Sequence, residues 1–81
     1  MNLFKIIRET KTVQHIQHDL GVYTANMYVN AVMMLYKTGK YTCLGSDLEY
    51  GKIRDILFEL FGDCKLMIKH DDRANTVFYL D

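Results

Sequence analysis

The 81-residue chain contains no proline, no tryptophan and only two cysteines. Without proline it has no built-in kinks or stiff linkers, so its elements should join through glycine and polar turns. Cys43 and Cys64 do not form a C-x-x-C pair, which fits a reducing compartment better than a disulfide scaffold. No apolar run is long enough to span a bilayer, and the first residues do not resemble a signal peptide. We therefore expect a cytoplasmic protein without a membrane partner.

Net charge is also lacking, because ten basic and ten acidic side chains balance. Nucleic-acid-binding domains usually carry a basic excess, since much of their affinity comes from neutralising phosphates. The charge is unevenly spread, however. Residues 1–45 carry five basic and two acidic side chains, or +3, and residues 46–81 carry five and eight, or −3. The mildly basic first half keeps DNA binding open as a hypothesis.

Motifs that would indicate catalysis are missing. The chain has no G-x-x-x-x-G-K-S, G-x-G-x-x-G or G-x-S-x-G sequence. Residue types that bind zinc do occur, at spacings that match no zinc finger or ribbon. They are His15, His18, Asp19, Cys43, Cys64 and His70. We expect no enzymatic activity, no small-molecule substrate, no metal and no cofactor.

Apolar spacing predicts one α+β domain over residues 1–81, with about four helices and a C-terminal β-hairpin, an arrangement that could be similar to a winged helix. The predicted helices cover residues 3–9, a segment that ends at Gly21, a segment from a Thr24 cap to Gly39, and a segment from a Ser46–Glu49 capping box to Gly62. The predicted strands are 40–44, 64–69 and 75–80, with a turn at His70–Ala74.

The stretch Thr24–Lys37 is the most apolar run of the chain. A helix that is apolar nearly all round lies either at the centre of a core or in an interface. Methionine and tyrosine are frequent on protein-binding surfaces, so one face of this helix is predicted to bind a protein partner or a second copy as a homodimer. The residues of that face are Tyr28, Val29, Val32, Met33 and Tyr36.

Residues 12–35 resemble the helix-turn-helix of small phage repressors of the Cro type. Asp19–Tyr23 would be the turn around Gly21, although Gln17 and Asn30 occupy positions that are usually small or apolar in that family. The resemblance implies that this segment binds DNA, with asparagines able to pair with adenine edges. The DNA-binding residues would be Lys11, Tyr23, Thr24, Asn26, Asn30, Lys37 and Lys40.

Two functional hypotheses follow from these patterns. The first is a small non-enzymatic protein-binding module that acts through the helix at 24–37. Its size and its lack of catalytic motifs would suit an inhibitor or adaptor of the kind that phages encode. The alternative is a helix-turn-helix transcriptional regulator that binds DNA.

Overall fold

Helix α3 is the element around which the domain is built. The computed structural model describes residues 2–45 and 48–81. In chain order the elements are α1 (Leu3–Arg8), α2 (Lys11–Leu20), α3 (Val22–Thr38), β1 (Lys40–Leu44), α4 (Tyr50–Phe61), β2 (Leu66–His70) and β3 (Asn75–Leu80). This confirms a small α+β domain in which helices precede a C-terminal hairpin.

The core lies along α3, because α1, α2, α4 and β1 all pack against it. Six of its side chains are buried, which are those of Ala25, Tyr28, Val29, Ala31, Val32 and Leu35. Around them the other helices contribute Ile7, Val13, Ile16, Ile53, Ile56 and Leu57, and the sheet contributes Leu66 and Phe78. The apolar character of α3 on several sides therefore reflects neighbours on several sides.

The connection between α2 and α3 is shorter than the sequence predicts. Gly21 alone links the two helices, and α3 begins at Val22 rather than after a Thr24 cap. Gly21 has a φ of 96°, a conformation that glycine adopts readily and other residues adopt rarely. Its N–H donates to the Gln17 carbonyl, and its own carbonyl accepts from Ala25 N–H, so the chain changes direction at one residue. The predicted turn residues on either side of Gly21 are therefore helical.

The start of α4 also differs from the predicted capping box. Helix α4 begins at Tyr50 with Glu49 as its N-cap residue, so Glu49 is not in the first turn, and no side-chain cap is formed. The Tyr28 hydroxyl instead accepts a hydrogen bond from the Glu49 N–H at 2.8 Å. This bond ties the beginning of α4 to the middle of α3. The other half of the predicted box, Ser46, lies outside the described residues.

The three strands form one antiparallel sheet in the order β1-β3-β2. The terminal hairpin was predicted, but its pairing with β1 was not. Strand β3 is central and pairs with β1 as Tyr41↔Phe78 and with β2 as Ile68↔Phe78. Phe78 is fully buried and belongs to the hydrophobic core, and Thr76 and Val77 before it are buried as well. The Asp71 carboxylate accepts from Arg73 N–H and Asn75 N–H, and closes the hairpin turn.

Candidate protein-binding surface

The face of α3 that the sequence predicts to be a partner surface is largely core. Tyr28, Val29 and Val32 are at most 1% exposed, so no partner can reach them without unfolding the domain. Met33 is half-buried and packs against the same core. Of the five predicted residues only Tyr36 is well exposed, at 55%. The prediction is therefore corrected for the three core residues, because packing by the other helices covers their side of α3.

Three large aromatic side chains lie exposed beside one another at the α3–α4 junction, and we call them the aromatic patch: Tyr36, Phe58 and Phe61. Phe58 is 63% exposed and Phe61 is 49% exposed. The rings of Tyr36 and Phe61 stack with centroids 5.5 Å apart and an interplanar angle of 11°. Phe58 lies one turn before Phe61 on α4, a spacing at which helical side chains are neighbours.

The geometry of α4 explains why these aromatic side chains are outside the core. Its buried stripe consists of Ile53, Ile56 and Leu57. Phe58 is exposed on the solvent side of the helix, as Asp55 and Glu59 are. Phe61 follows Leu57 at the four-residue spacing of the buried stripe, but its ring is half exposed and stacks on Tyr36. Phe58 is not among the residues predicted from the sequence; the signal that could have found it is an aromatic residue near acidic residues on the polar side of an amphipathic helix.

Phe58 lines two cavities on the surface. One has a volume of about 380 Å³ and is lined by Arg54, Asp55, Phe58, Asp63 and Cys64. The other, of about 550 Å³, is lined by Lys11, Thr12, Asp55, Phe58 and Glu59. Burial, with a smaller contribution from the charge of Asp63, raises the pKa of the Cys64 thiol, which keeps it protonated at neutral pH. An exposed ring that lines two depressions is a shape that side chains of a partner can contact from more than one side.

Charges around the patch are mostly acidic. Asp55 and Asp63 line the cavities with Arg54, whose guanidinium Nη2 is 3.9 Å from Asp55 Oδ1. Glu59 is held at the start of α2, where its carboxylate accepts from Lys11 N–H at 2.6 Å and from Thr12 N–H at 3.1 Å. Partial burial works to raise the pKa of Glu59, but these hydrogen bonds outweigh it and the pKa is lowered.

The predicted DNA-binding residues are distributed over α2, α3 and β1. Tyr23, Asn30 and Lys37 are exposed and are spaced seven residues apart, so they share one side of α3. Thr24 and Asn26 are half-buried on its flanks. Two further lysines of the set are exposed on other elements: Lys11 begins α2, and Lys40 begins β1.

The residue types that bind zinc are also dispersed. Among residues 2–45 and 48–81, no three His, Cys, Asp or Glu side chains are grouped so that they could hold a metal ion. His18 and Asp19 are exposed and contact each other at 3.1 Å. In the same ranges no helix combines the length and the apolar character that a membrane span requires.

Comparison of the chain with protein-family models, with curated proteins and with solved structures finds no match. The resemblance of residues 12–35 to a helix-turn-helix stays a prediction.

Proposed function

We propose that this protein is a small non-enzymatic protein-binding module, an inhibitor or adaptor, that contacts its partner through the aromatic patch. The supporting observation is that Tyr36 and Phe61 stack, that Phe58 lies one helical turn from Phe61, and that all three are between 49% and 63% exposed. Aromatic side chains are enriched at protein interfaces and supply most of the binding energy where they anchor in a partner. Exposing them to water is unfavourable, and a contiguous apolar patch is a mark of an interaction site.

The surroundings of the patch define the chemistry of the partner. An apolar element must cover Phe58 and Phe61, because these rings are the largest exposed apolar groups on α4. Asp55 and Asp63 lie at the edge of the patch and Arg54 is already close to Asp55. A partner with lysine or arginine beside its apolar contact would complement the two carboxylates, mainly by increasing the rate of association.

Affinity capture from a lysate of the natural host tests this function with two matched variants. The double variant Phe58→Ser/Phe61→Ser removes the centre of the patch, whereas Tyr23→Ser removes an aromatic side chain that is 80% exposed on another part of the surface. We expect the same protein to be retained by the wild type and by Tyr23→Ser, and to be lost with the double variant. Loss of two interface aromatics should weaken binding by about 100-fold or more.

The controls of this capture are circular dichroism and the thermal midpoint of each variant, which should match the wild type because the replaced side chains are exposed. A partner that the double variant retains as well as the wild type would contradict the patch. Equal loss with Tyr23→Ser would also contradict it, because binding would then not depend on the identity of the surface.

DNA binding by α3 is the second candidate function, and one observation favours it. Tyr23, Asn30 and Lys37 share a solvent-exposed side of the helix that the helix-turn-helix resemblance assigns to the DNA groove. This side carries one lysine and no arginine, so few phosphate or guanine contacts are available to it.

Retention on duplex DNA tests the second candidate. If α3 binds DNA, the protein should be retained at about 50 mM salt and released steeply as the salt concentration rises. Lys37→Gln should then weaken retention, whereas Phe58→Ser should not. A protein that elutes at about 50 mM salt without delay excludes this function.

A further inference from the structure

The two edge strands of the sheet differ in how they expose their backbone. Leu80 N–H donates to the Gly39 carbonyl at 2.9 Å. The backbone N–H and C=O of odd-numbered residues of β1 therefore point toward β3, and those of even-numbered residues point toward the free edge. Asp81 N–H donates to the Lys65 carbonyl at 3.1 Å. On β2, too, the peptide groups of odd-numbered residues therefore point toward β3 and those of even-numbered residues point toward the free edge. Each edge therefore presents the peptide groups of its even-numbered residues to a further strand.

On β1, two residues have open peptide groups. The Lys40 carbonyl accepts from the Thr38 hydroxyl at 2.9 Å, which occupies the first position of the edge. The peptide N–H and C=O of Thr42 and Leu44 make no hydrogen bond with any residue that the structure describes. The Leu44 side chain is 76% exposed, the largest exposed fraction of any aliphatic side chain in the described ranges.

On β2 the edge is protected. The Tyr50 hydroxyl donates to the Leu66 carbonyl at 2.5 Å, which leaves Ile68 and His70 as the open residues. A two-fold pairing through those two residues would put Lys69 directly opposite Lys69 of a second copy. Like charges directly opposite each other destabilise a strand pair, and lysine on an edge strand is a common protection against association.

We infer that β1 pairs antiparallel with β1 of a second copy about a two-fold axis at Cys43, and joins two sheets into a six-stranded one. In this register Thr42 of each copy is opposite Leu44 of the other. Each such pair exchanges two backbone hydrogen bonds. Within β1, no other antiparallel register gives the peptide groups of both Thr42 and Leu44 a hydrogen-bond partner in both copies. No charged side chain lies between Tyr41 and Gly45, so nothing repels the second strand.

A second copy fits this edge better than a peptide of another protein because the edge is complementary to itself. A two-fold axis requires that the same residues serve as both partners, and the Thr42–Leu44 pair meets this condition. The pairing also covers the exposed Leu44 side chain with Thr42 of the other copy. This interface is independent of the aromatic patch, so either can fail without the other.

Sedimentation velocity over a range of protein concentrations measures the self-association. Thr42→Pro removes the outward N–H, which the isolated chain does not use, and an edge strand tolerates proline at such a position. We expect a concentration-dependent dimer in the wild type and about thirtyfold weaker association in Thr42→Pro, because two symmetry-related hydrogen bonds are lost. Thr42→Val keeps the N–H and should associate like the wild type.

Disulfide trapping with diamide reports the register. Directly opposed residues that are not hydrogen-bonded have Cα atoms about 4.5 Å apart, within the range of a disulfide. Two Cys43 thiols would each lose a proton and an electron, and diamide would be reduced to the hydrazine. We expect Cys64→Ser protein to form a covalent dimer that Cys43→Ser protein does not form, at a rate reduced by Thr42→Pro.

Three results would overturn the inference: a strict monomer at every concentration, unchanged association of Thr42→Pro, or a dimer of Cys64→Ser that diamide does not link. If Thr42→Pro does not fold, Leu44→Lys replaces it, because that side chain is exposed and its change leaves the monomer intact. Association of Leu44→Lys equal to that of the wild type would then contradict the pairing.

Discussion

Helices α3 and α4 differ in where their large apolar side chains lie. The longer, more apolar α3 buries Tyr28, Val29 and Val32 completely, because other elements surround it. The shorter α4 has a narrow buried stripe and carries Phe58 and Phe61 on the surface. The helix that is apolar on most of its sides therefore lies at the centre of this fold. The exposed patch comes instead from aromatic side chains on the polar side of an amphipathic helix.

The largest effect should come from a charge inside α3. Val32→Asp puts a carboxylate at a position that is 0% exposed, at a cost of about 4 kcal/mol or more, enough to unfold a small domain. Far-UV circular dichroism and urea denaturation measure the loss. Met34→Asp is the control on the same helix, and it should fold because that side chain is 42% exposed. If Val32→Asp folds and only association changes, α3 is an interface after all.

Removal of the hydroxyl that joins the two helices should have a smaller effect. Tyr28→Phe leaves the Glu49 N–H without its 2.8 Å partner and should lower the free energy of unfolding by about 1–2 kcal/mol. Urea denaturation at neutral pH measures the change. Tyr36→Phe, at an exposed ring, should be neutral. Equal stability of Tyr28→Phe and the wild type would mean that the start of α4 does not depend on α3.

Glu59 connects the exposed side of α4 to the start of α2 through its hydrogen bonds to Lys11 N–H and Thr12 N–H. The pKa of Glu59 is lowered in the folded state. The stability that its ionised carboxylate adds is therefore fully present above the ordinary glutamate pKa of about 4.3, and it is lost as the pH falls through the lower, folded-state pKa. Glu59→Gln should reduce stability at pH 7 by up to about 1 kcal/mol and have a smaller effect in acid.

Urea midpoints at neutral and acidic pH test this effect. Glu49→Gln is the matched control. The Glu49 carboxylate forms an exposed 2.8 Å pair with Lys52, so its loss should change stability by less than about 0.5 kcal/mol. Identical pH profiles for Glu59→Gln and the wild type would show that the hydrogen bonds to α2 contribute nothing.

The smallest effect on stability should come from the patch itself. Phe58→Ser should change the free energy of unfolding by less than about 0.5 kcal/mol, because the ring is 63% exposed. Phe78→Ser, at a buried ring of the same type, should unfold the domain. A strongly destabilised Phe58→Ser would assign the exposed aromatic side chains to the fold rather than to a partner.

Local patterns were enough to predict most of the elements. Gly39 and Gly62 end helices as expected, and the period-2 segments at the end of the chain form the hairpin. The pairing of β1 with β3 could not be predicted, because it joins residues more than thirty positions apart by backbone bonds that leave no local pattern.

The candidate site was harder to predict for a related reason. Tyr28 and Tyr36 look alike in the sequence, but the first bonds to Glu49, the N-cap residue of α4, and the second stacks on Phe61 at the end of α4. Which tyrosine is buried depends on where α4 packs, and no property of α3 alone determines that. Phe58 was not predicted, although it lies near acidic residues and breaks the amphipathic pattern of its own helix.

Hydroxyl-radical footprinting of the wild-type protein, free and bound to the captured partner, tests the central claim most directly. In the free protein Tyr23, Tyr36, Phe58 and Phe61 should be oxidised, and Tyr28 and Phe78 should not be. In the complex the three residues of the aromatic patch should become protected while Tyr23 stays reactive. Protection of Tyr23 with continued oxidation of Phe58 and Phe61 would contradict the claim, as would oxidation of Tyr28 in the free protein at the rate of Tyr36.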